Sequence, residues 1–306
     1  MRYSLLLSVV ILFGGCGAPE EVDVGQADEA QNEVLHGNPL HSVKNQAGPS
    51  KSTGNLTDHG GPVKGGTFHL YTIYWGSGFS STTESLYTSF LSGLGASGYW
   101  AINTQYLRGA ANNTTFVKSY DDTSTPPATV TDAALQAEVH KVLTAGGLPA
   151  DPNGLYYVLT PKNVKVCSGS SCSCTSFCGY HSNYTDSSYG TVLYSTIPSA
   201  SACPASCSMF ASDAASPHGN LEADSGVSIL AHEGEETQSD ALGTAWWDRR
   251  GNENADKCAW KYGPTTSLNG AAVNQSIGGT SWLVQMNWSN KNSGCMKSPT
   301  DGPYTN

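Results

Sequence analysis

Alternating apolar and polar residues predict an early β-strand over 67–75 (TFHLYTIYW). This segment is rich in aromatic and β-branched side chains, and Gly76 closes it. A second segment, 155–160 (LYYVLT), is apolar almost throughout, which favours a buried strand. The pattern therefore predicts one early strand and one buried strand.

Two segments between these strands carry apolar residues at helical spacing. The first helix is predicted over 83–94, with its apolar residues at Leu86, Phe90, Leu91 and Leu94. The second is predicted over 131–144, where Thr131 or Asp132 provides the N-cap and Gly146 the stop. Its inward residues are Leu135, Val139, Val142 and Leu143.

A third helix is predicted where the apolar run 227–231 leads into His232-Glu233-Gly234-Glu235-Glu236. His232 and Glu236 stand at i and i+4, so they project from one face and can share a cation. In the related H-E-x-x-H arrangement the second residue is a general base, and Glu233 is the candidate here. A solvated acidic helix face is the alternative. The apolar run before the motif and the acidic residues after it favour a metal site.

A third ligand has to come from elsewhere in the chain. The loop 251–256 (GNENAD), which Cys258 holds, offers Glu253 as the preferred ligand and Asp256 as the alternative. Asp256 fits a turn-forming or helix-capping role equally well. Asp240 is expected to orient a ligand or to cap the helix.

Zinc is the metal predicted for this site. It accepts both imidazole nitrogen and carboxylate oxygen, and Glu233 would deprotonate a water in the open fourth position for peptide or amide hydrolysis. Two carboxylates and one imidazole form an anionic set, which could favour Ca²⁺ or Mn²⁺, and the absence of any metal is the remaining alternative. The predicted ligands are His232, Glu236 and Glu253. His181 and His218 are lesser candidates.

The N-terminus predicts export. Met1-Arg2 precedes an apolar run from Leu5 to Phe13 that is too short to span a bilayer as a helix. Gly14-Gly15 before Cys16 resembles a bacterial lipobox, so residues 1–16 are predicted to be a lipoprotein signal peptide with Cys16 lipidated. We expect a cell-envelope protein anchored to a membrane. Gly17, rather than Asp, follows the cysteine, which favours the outer membrane over retention in the inner one. Ordinary secretion is the alternative.

Composition divides the remainder of the chain. Residues 17–61 are acidic and poor in apolar residues, which predicts a disordered tether. Residues 62–298 are long enough for one domain with its own core, and 299–306 form a C-terminal tail. The formal net charge is −10, and nothing in the chain suggests that it binds nucleic acid.

Eight of the nine cysteines remain when Cys16 is set aside, and an even set in an exported chain predicts four disulfides. These are Cys167, Cys172, Cys174, Cys178, Cys203, Cys207, Cys258 and Cys295. The sequence does not determine the connectivity, and we take Cys203 with Cys207 and Cys258 with Cys295 as trial pairs. A thiolate zinc site at 167–178 is the weaker alternative, because no paired C-x-x-C pattern is present. The predicted fold class is α+β: one disulfide-rich extracellular domain with a zincin-like metal helix packed on a mixed sheet.

Several segments in this order resemble the phosphate-induced protein 1 family, also called EXORDIUM-like. The matching residues are Gly60-Gly61-Pro62-Val63, Tyr74-Trp75-Gly76, Tyr99-Trp100, Asn103-Thr104, Gly147-Leu148-Pro149, Tyr157-Val158-Leu159-Thr160, Phe177-Cys178-Gly179-Tyr180-His181, Cys203-Pro204-Ala205-Ser206-Cys207, Trp247-Asp248, Gly251-Asn252-Glu253 and Asp256-Lys257-Cys258. The resemblance implies a secreted protein of the cell surface. Bacterial members look as though they keep a motif similar to His232-Glu233-x-x-Glu236, which is itself similar to zincin metallopeptidases.

Two functions are therefore expected. The first is a metal-dependent, peptidase-like hydrolase acting on an extracellular substrate. The second is a non-catalytic surface protein that binds extracellular polysaccharide or cell-wall material through exposed aromatic side chains, which stack on sugars. Its candidate residues are Tyr99, Trp100, Trp246, Trp247 and Trp260.

Overall fold

The computed structural model of the protein describes residues 40–44 and 54–304. Its helices are Ser81–Leu94 (α1), Asp132–Thr144 (α2), Pro204–Cys207 (α3) and Leu221–Ser239 (α4). Its strands are Leu40–Ser42 (β1), Thr57–Asp58 (β2), Gly66–Trp75 (β3), Asn112–Asp122 (β4), Thr129–Thr131 (β5), Gly154–Thr160 (β6), Lys165–Ser168 (β7), Ser171–Cys172 (β8), Phe177–Asp186 (β9), Gly190–Pro198 (β10), Trp246–Trp247 (β11), Thr266–Leu268 (β12), Ala271–Val273 (β13), Gln275–Ile277 (β14), Thr280–Trp282 (β15), Asn287–Ser289 (β16) and Gly294–Met296 (β17). Short 3₁₀ helices occupy Trp100–Tyr106, Ala200–Ala202, Asp213–Ala215 and Asp256–Cys258.

Six strands form a mixed sheet in the order β1-β9-β10-β6-β3-β4. Strands β10, β6, β3 and β4 are parallel, whereas β9 is antiparallel to β10 and β1 is antiparallel to β9. Parallel neighbours need crossover connections, and α1 and α2 lie in two of these crossovers. In this register Ser195 of β10 lies between Tyr157 of β6 and His181 of β9.

Side chains of β3 alternate between two helical layers. One face packs with α1 and α4 and carries Phe68, Leu70 and Tyr74. The opposite face packs with α2 and carries Tyr71, Ile73 and Trp75. The domain is therefore mixed α and β, as predicted, with helices on both faces of the sheet.

The predicted strands and the first two helices are confirmed within two residues at each end. The N-cap of α1 is Ser80, whose hydroxyl accepts the Thr83 backbone N–H. Thr131 caps α2 in the same way through the Ala134 N–H, which decides between the two predicted caps. In α1, Tyr87 is fully buried while the predicted Leu86 is half-buried.

Helix α4 is buried around its whole circumference. Every residue from Ala223 to Ser239 is buried, including the acidic residues of the predicted metal motif. Two glycines on this helix allow other elements to approach closely: a Cβ at Gly226 would lie 1.8 Å from Tyr87 Oη, and one at Gly234 would lie 2.2 Å from Tyr157 Oη. The helix therefore fits between β-sheet and loops only because these positions lack side chains.

Two segments of the predicted tether are strands in the structure. Strand β1 pairs with β9, and β2 pairs with β11. The fold therefore begins before residue 62, because short strands with few apolar residues can add to an edge that is already formed. At the other end, the backbone N–H of Tyr304 in the predicted tail bonds to Cys295 O.

Disulfides join Cys167 to Cys172, Cys174 to Cys203, Cys178 to Cys207 and Cys258 to Cys295. The predicted Cys258–Cys295 pair is confirmed. The predicted Cys203–Cys207 pair is wrong, because Cys203 bonds to Cys174, which precedes β9, and Cys207 bonds to Cys178 within β9. A thiolate zinc site at 167–178 is also wrong, because each of these cysteines is oxidised. Four disulfides indicate an extracellular protein.

The predicted signal peptide with Cys16, and most of the predicted tether, lie outside the described residues. Among the residues described, no helix combines the length and the apolar character that crossing a bilayer requires.

Replacement of Gly226 or Gly234 by Ala should destabilise the fold by about 2 kcal/mol or more, although Ala is the better helix former. The added methyl group collides with the Tyr87 or Tyr157 hydroxyl. Urea unfolding measures the change, and Gly302→Ala, whose Cβ meets nothing within 4 Å, is the control. Combination with Tyr87→Phe or Tyr157→Phe should restore part of the loss. Unchanged stability in both single variants would contradict the close packing of α4.

Candidate metal centre

Helix α4 brings an imidazole and a carboxylate together at i and i+4. His232 Nε2 lies 3.0 Å from Glu236 Oε1, and both side chains are fully buried. Glu233 lies on the same helix and is also fully buried. The local periodicity that predicted this pair is therefore present in the structure.

The loop after α4 returns to the same place. The Asp248 carboxylate accepts the backbone N–H groups of Arg250 and Asn252 and so closes a turn. Asp256 then donates its backbone N–H to Glu236 Oε1 at 2.9 Å, and its Oδ1 lies 3.6 Å from His232 Nε2. The next residues are fixed by the disulfide from Cys258.

Ligand atoms of His232, Glu236 and Asp256 all lie within 4.8 Å of one another. Ligands of tetrahedral zinc, about 2.0–2.2 Å from the metal, are about 3.3–3.6 Å apart. The measured separations from His232 Nε2, 3.0 and 3.6 Å, bracket this spacing. Of the two third-ligand candidates, Asp256 is the one that the structure groups with His232 and Glu236.

Glu253 faces a different imidazole. Its Oε2 lies 3.2 Å from His181 Nε2, and the same nitrogen lies 3.7 Å from Glu236 Oε2. His181 forms a second group with Glu233 and Glu236, again with ligand atoms within 4.8 Å. Sequence analysis placed His181 among the lesser candidates, although Gly179 stands two residues before it in the same strand.

Gly179 explains how His181 reaches α4. The two residues share one face of β9, and a Cβ at Gly179 would lie 2.6 Å from Ile229 Cγ2 and 3.1 Å from Glu233 Oε1. A glycine inside a strand often marks close approach of another element. This was the available signal that β9 runs directly beneath the predicted metal helix.

Gln285 orients the imidazole of His232. Its amide lies 2.8 Å from His232 Nδ1 and 3.1 Å from Ala255 O, and it donates to both. Rotation of the amide by 180° would let its oxygen accept the Nδ1–H, and in that tautomer Nε2 is the nitrogen that would bind a metal. Asp240 caps α4 instead, accepting the N–H groups of Thr244 and Ala245.

The site is strongly acidic and enclosed. Burial raises the pKa of Glu236 to about 8, and it also raises the pKa values of Glu233, Glu253 and Asp256. Burial lowers the pKa of His181. For His232 burial acts in the same direction, but the surrounding carboxylates, Glu236 foremost, outweigh it and raise the pKa.

Several oxygens of the cluster have no hydrogen-bond partner within the described part of the chain. They are both oxygens of Glu233, Oε2 of Glu236 and Oε1 of Glu253. The buried Lys257 does not serve them, because its ammonium lies 3.1 Å from Asp248. Buried carboxylate oxygens need hydrogen-bond donors or a cation, so the donor set fits a divalent metal ion.

The remaining predicted residues lie elsewhere. His218 pairs with Asp224 at 2.5 Å near the N-terminus of α4, more than two turns from His232. Tyr99 and Trp100 are fully buried in the core, whereas Trp246, Trp247 and Trp260 are half-buried. Two of the five aromatic residues expected to bind polysaccharide are therefore inaccessible.

Comparison with known proteins gives a family match over most of the chain. The model of the phosphate-induced protein 1 conserved region matches residues 56–297. The curated protein EXORDIUM-like 3 of Arabidopsis thaliana is 26% identical over 281 residues, which is 78% of this chain and 82% of that protein. No solved structure matches the chain.

The metal-free protein should lose stability as the pH rises from about 4.5 to 8. Glu236 keeps its proton in the folded state up to a pKa of about 8, whereas the unfolded chain releases it near 4.5, so the folded state binds more protons in this window. Glu236→Gln should flatten this part of the profile. Urea unfolding of chelator-treated protein across this range measures the effect, and a wild-type profile that rises with pH would contradict it.

Proposed function

The chain belongs to the phosphate-induced protein 1 family, and from that premise we propose that it is an exported, metal-dependent hydrolase with a zinc ion held by His232, Glu236 and Asp256. One observation carries the proposal. Imidazole and carboxylate atoms from α4 and the 248–258 loop converge at 3.0 and 3.6 Å in a place that no lysine or arginine neutralises among the ion pairs of the described residues. Such an arrangement is costly to bury unless a cation completes it.

A divalent ion supplies a Lewis acid at this position, which polarises a scissile carbonyl and lowers the pKa of water. The chain's own residues would bind the ion and transfer the proton. His232 and Glu236 would hold the ion from α4, and Asp256 would be the third ligand. Glu233, with both oxygens unpartnered, would take the proton of the attacking water and return it to the leaving amine.

The low exposure of the site favours a second candidate function, in which the ion is structural. The side chains of His232 and Glu236 are 0% exposed and that of Asp256 is 7% exposed. An ion enclosed to this degree would cross-link α4 to the 248–258 loop and stabilise a surface protein that binds peptide or polysaccharide without cleaving it. The hydrolase proposal requires the substrate to approach the ion past Asp256, the one of these three side chains that solvent reaches.

Elemental mass spectrometry of the full-length protein, purified without added metal or chelator, tests the centre itself. We expect at least one equivalent of zinc, lost in Glu236→Ala and retained in Glu84→Ala, which removes a helix carboxylate far from the site. Glu233→Gln should retain zinc and lower peptide hydrolysis by a factor on the order of 10²–10⁴, the usual contribution of a general base.

Different results separate the two candidates. If the protein binds zinc but does not hydrolyse a peptide library, the second candidate, a structural ion in a non-catalytic surface protein, is the one supported. Calcium or manganese in place of zinc would keep the site and change its ion. The absence of bound metal from both wild type and Glu84→Ala would overturn both candidates.

The proposal includes attachment of the chain to a membrane through lipidated Cys16. Detergent phase partitioning checks this: wild type should enter the detergent phase, whereas Cys16→Ser should stay in the aqueous phase. An aqueous wild type would instead indicate ordinary secretion.

A further inference from the structure

We propose that the centre holds two divalent cations bridged by the carboxylate of Glu236. The inference rests on the proposed function for its first ion, at His232, Glu236 and Asp256. The second ion lies on the other side of Glu236, held by His181 and Glu233.

The two oxygens of Glu236 face different imidazoles. Oε1 lies 3.0 Å from His232 Nε2, whereas Oε2 lies 3.7 Å from His181 Nε2. The two groups of potential ligands share Glu236 and no other residue. A carboxylate placed between two ligand sets is the usual bridge of centres whose metals stand about 3.5–4 Å apart.

The charge of the cluster matches two divalent ions. Glu233, Glu236, Glu253 and Asp256 carry four negative charges when ionised, and the two imidazoles carry none when they bind metal. One divalent ion leaves two uncompensated charges among side chains that are at most 7% exposed. Uncompensated charge at such depth is strongly unfavourable, and a second ion removes it.

The unpartnered oxygens lie on the side of the second ion. Both oxygens of Glu233 and Oε2 of Glu236 have no hydrogen-bond partner among the described residues, although they are fully buried. An ion bound by His232, Glu236 Oε1 and Asp256 would leave these three oxygens without a partner. Protonation of Glu233 does not give its oxygens a partner either, because no described residue has an acceptor within hydrogen-bonding distance of them. A cation held by His181, Glu233 and Glu236 would give each of the two carboxylates a partner.

The second ion changes the part that Glu233 plays. As a ligand it would no longer act as the proton acceptor. Glu253, whose Oε1 has no hydrogen-bond partner among the described residues, would then be the candidate for that role. The Oε2 of Glu253, 3.2 Å from His181 Nε2, is a further oxygen that the second ion can reach.

Metal titration of the full-length protein tests the second ion. Chelator-treated protein is titrated with Zn²⁺ and, separately, Mn²⁺, and bound metal is counted after desalting. We expect two equivalents in wild type and one in His181→Asn. The isosteric Glu233→Gln should also bind one, which keeps the test decisive if His181→Asn fails to fold. His218→Asn, which removes a histidine that precedes α4 and pairs with Asp224, should bind two.

Electron paramagnetic resonance of the Mn²⁺-loaded protein provides an independent readout. Two bridged Mn²⁺ ions should give an exchange-coupled spectrum in wild type, and His181→Asn should give that of an isolated ion. One equivalent in wild type, or two in both His181→Asn and Glu233→Gln, would overturn the second ion and leave the proposed function intact. No bound metal in wild type would overturn both.

Discussion

Burial of acidic residues along α4 is the constraint on which the rest of this structure depends. Glu233, Glu235, Glu236 and Asp240 are all completely buried, and each must find compensation inside the protein. Asn287 donates to Glu235 at 2.6 Å, and backbone amides of the following turn serve Asp240. Glu233 and Glu236 are left facing histidines, which is why we propose a cation at this point.

The disulfides stabilise the segments that carry the partners of these acids. Cys178–Cys207 ties the start of β9, and with it Gly179 and His181, to the loop that precedes α4. Cys258–Cys295 fixes the end of the loop that delivers Asp256 to Glu236. Covalent links therefore hold distant stretches of chain against one helix, where a cluster of like charges would otherwise push them apart. The stability of the domain and the geometry of its centre share one set of restraints.

Enclosure of the centre distinguishes it from an open cleft. Potential ligands come from α4, from β9 and from the loop 248–258, and together they leave the acidic cluster almost without contact with solvent. A low-dielectric surrounding strengthens every electrostatic interaction of an ion bound there. The same surrounding restricts the approach of a substrate. Access past Asp256, whose side chain is 7% exposed, would therefore decide whether the proposed metal acts in catalysis or in stability.

Local pattern was enough to predict β3, β6, α1, α2 and the pairing of His232 with Glu236, because periods of two and 3.6 residues are properties of neighbouring positions. It also limited the third ligand to Glu253 or Asp256. It preferred Glu253, whereas the structure groups Asp256 with His232 and Glu236. It also gave His181 little weight, because the order of strands decides which strand lies beneath α4. The order of strands and helices also decides the disulfides Cys174–Cys203 and Cys178–Cys207, which the local pattern did not predict. Residues far apart in the chain meet where the sheet and α4 pack, and that packing depends on the whole core rather than on any one segment.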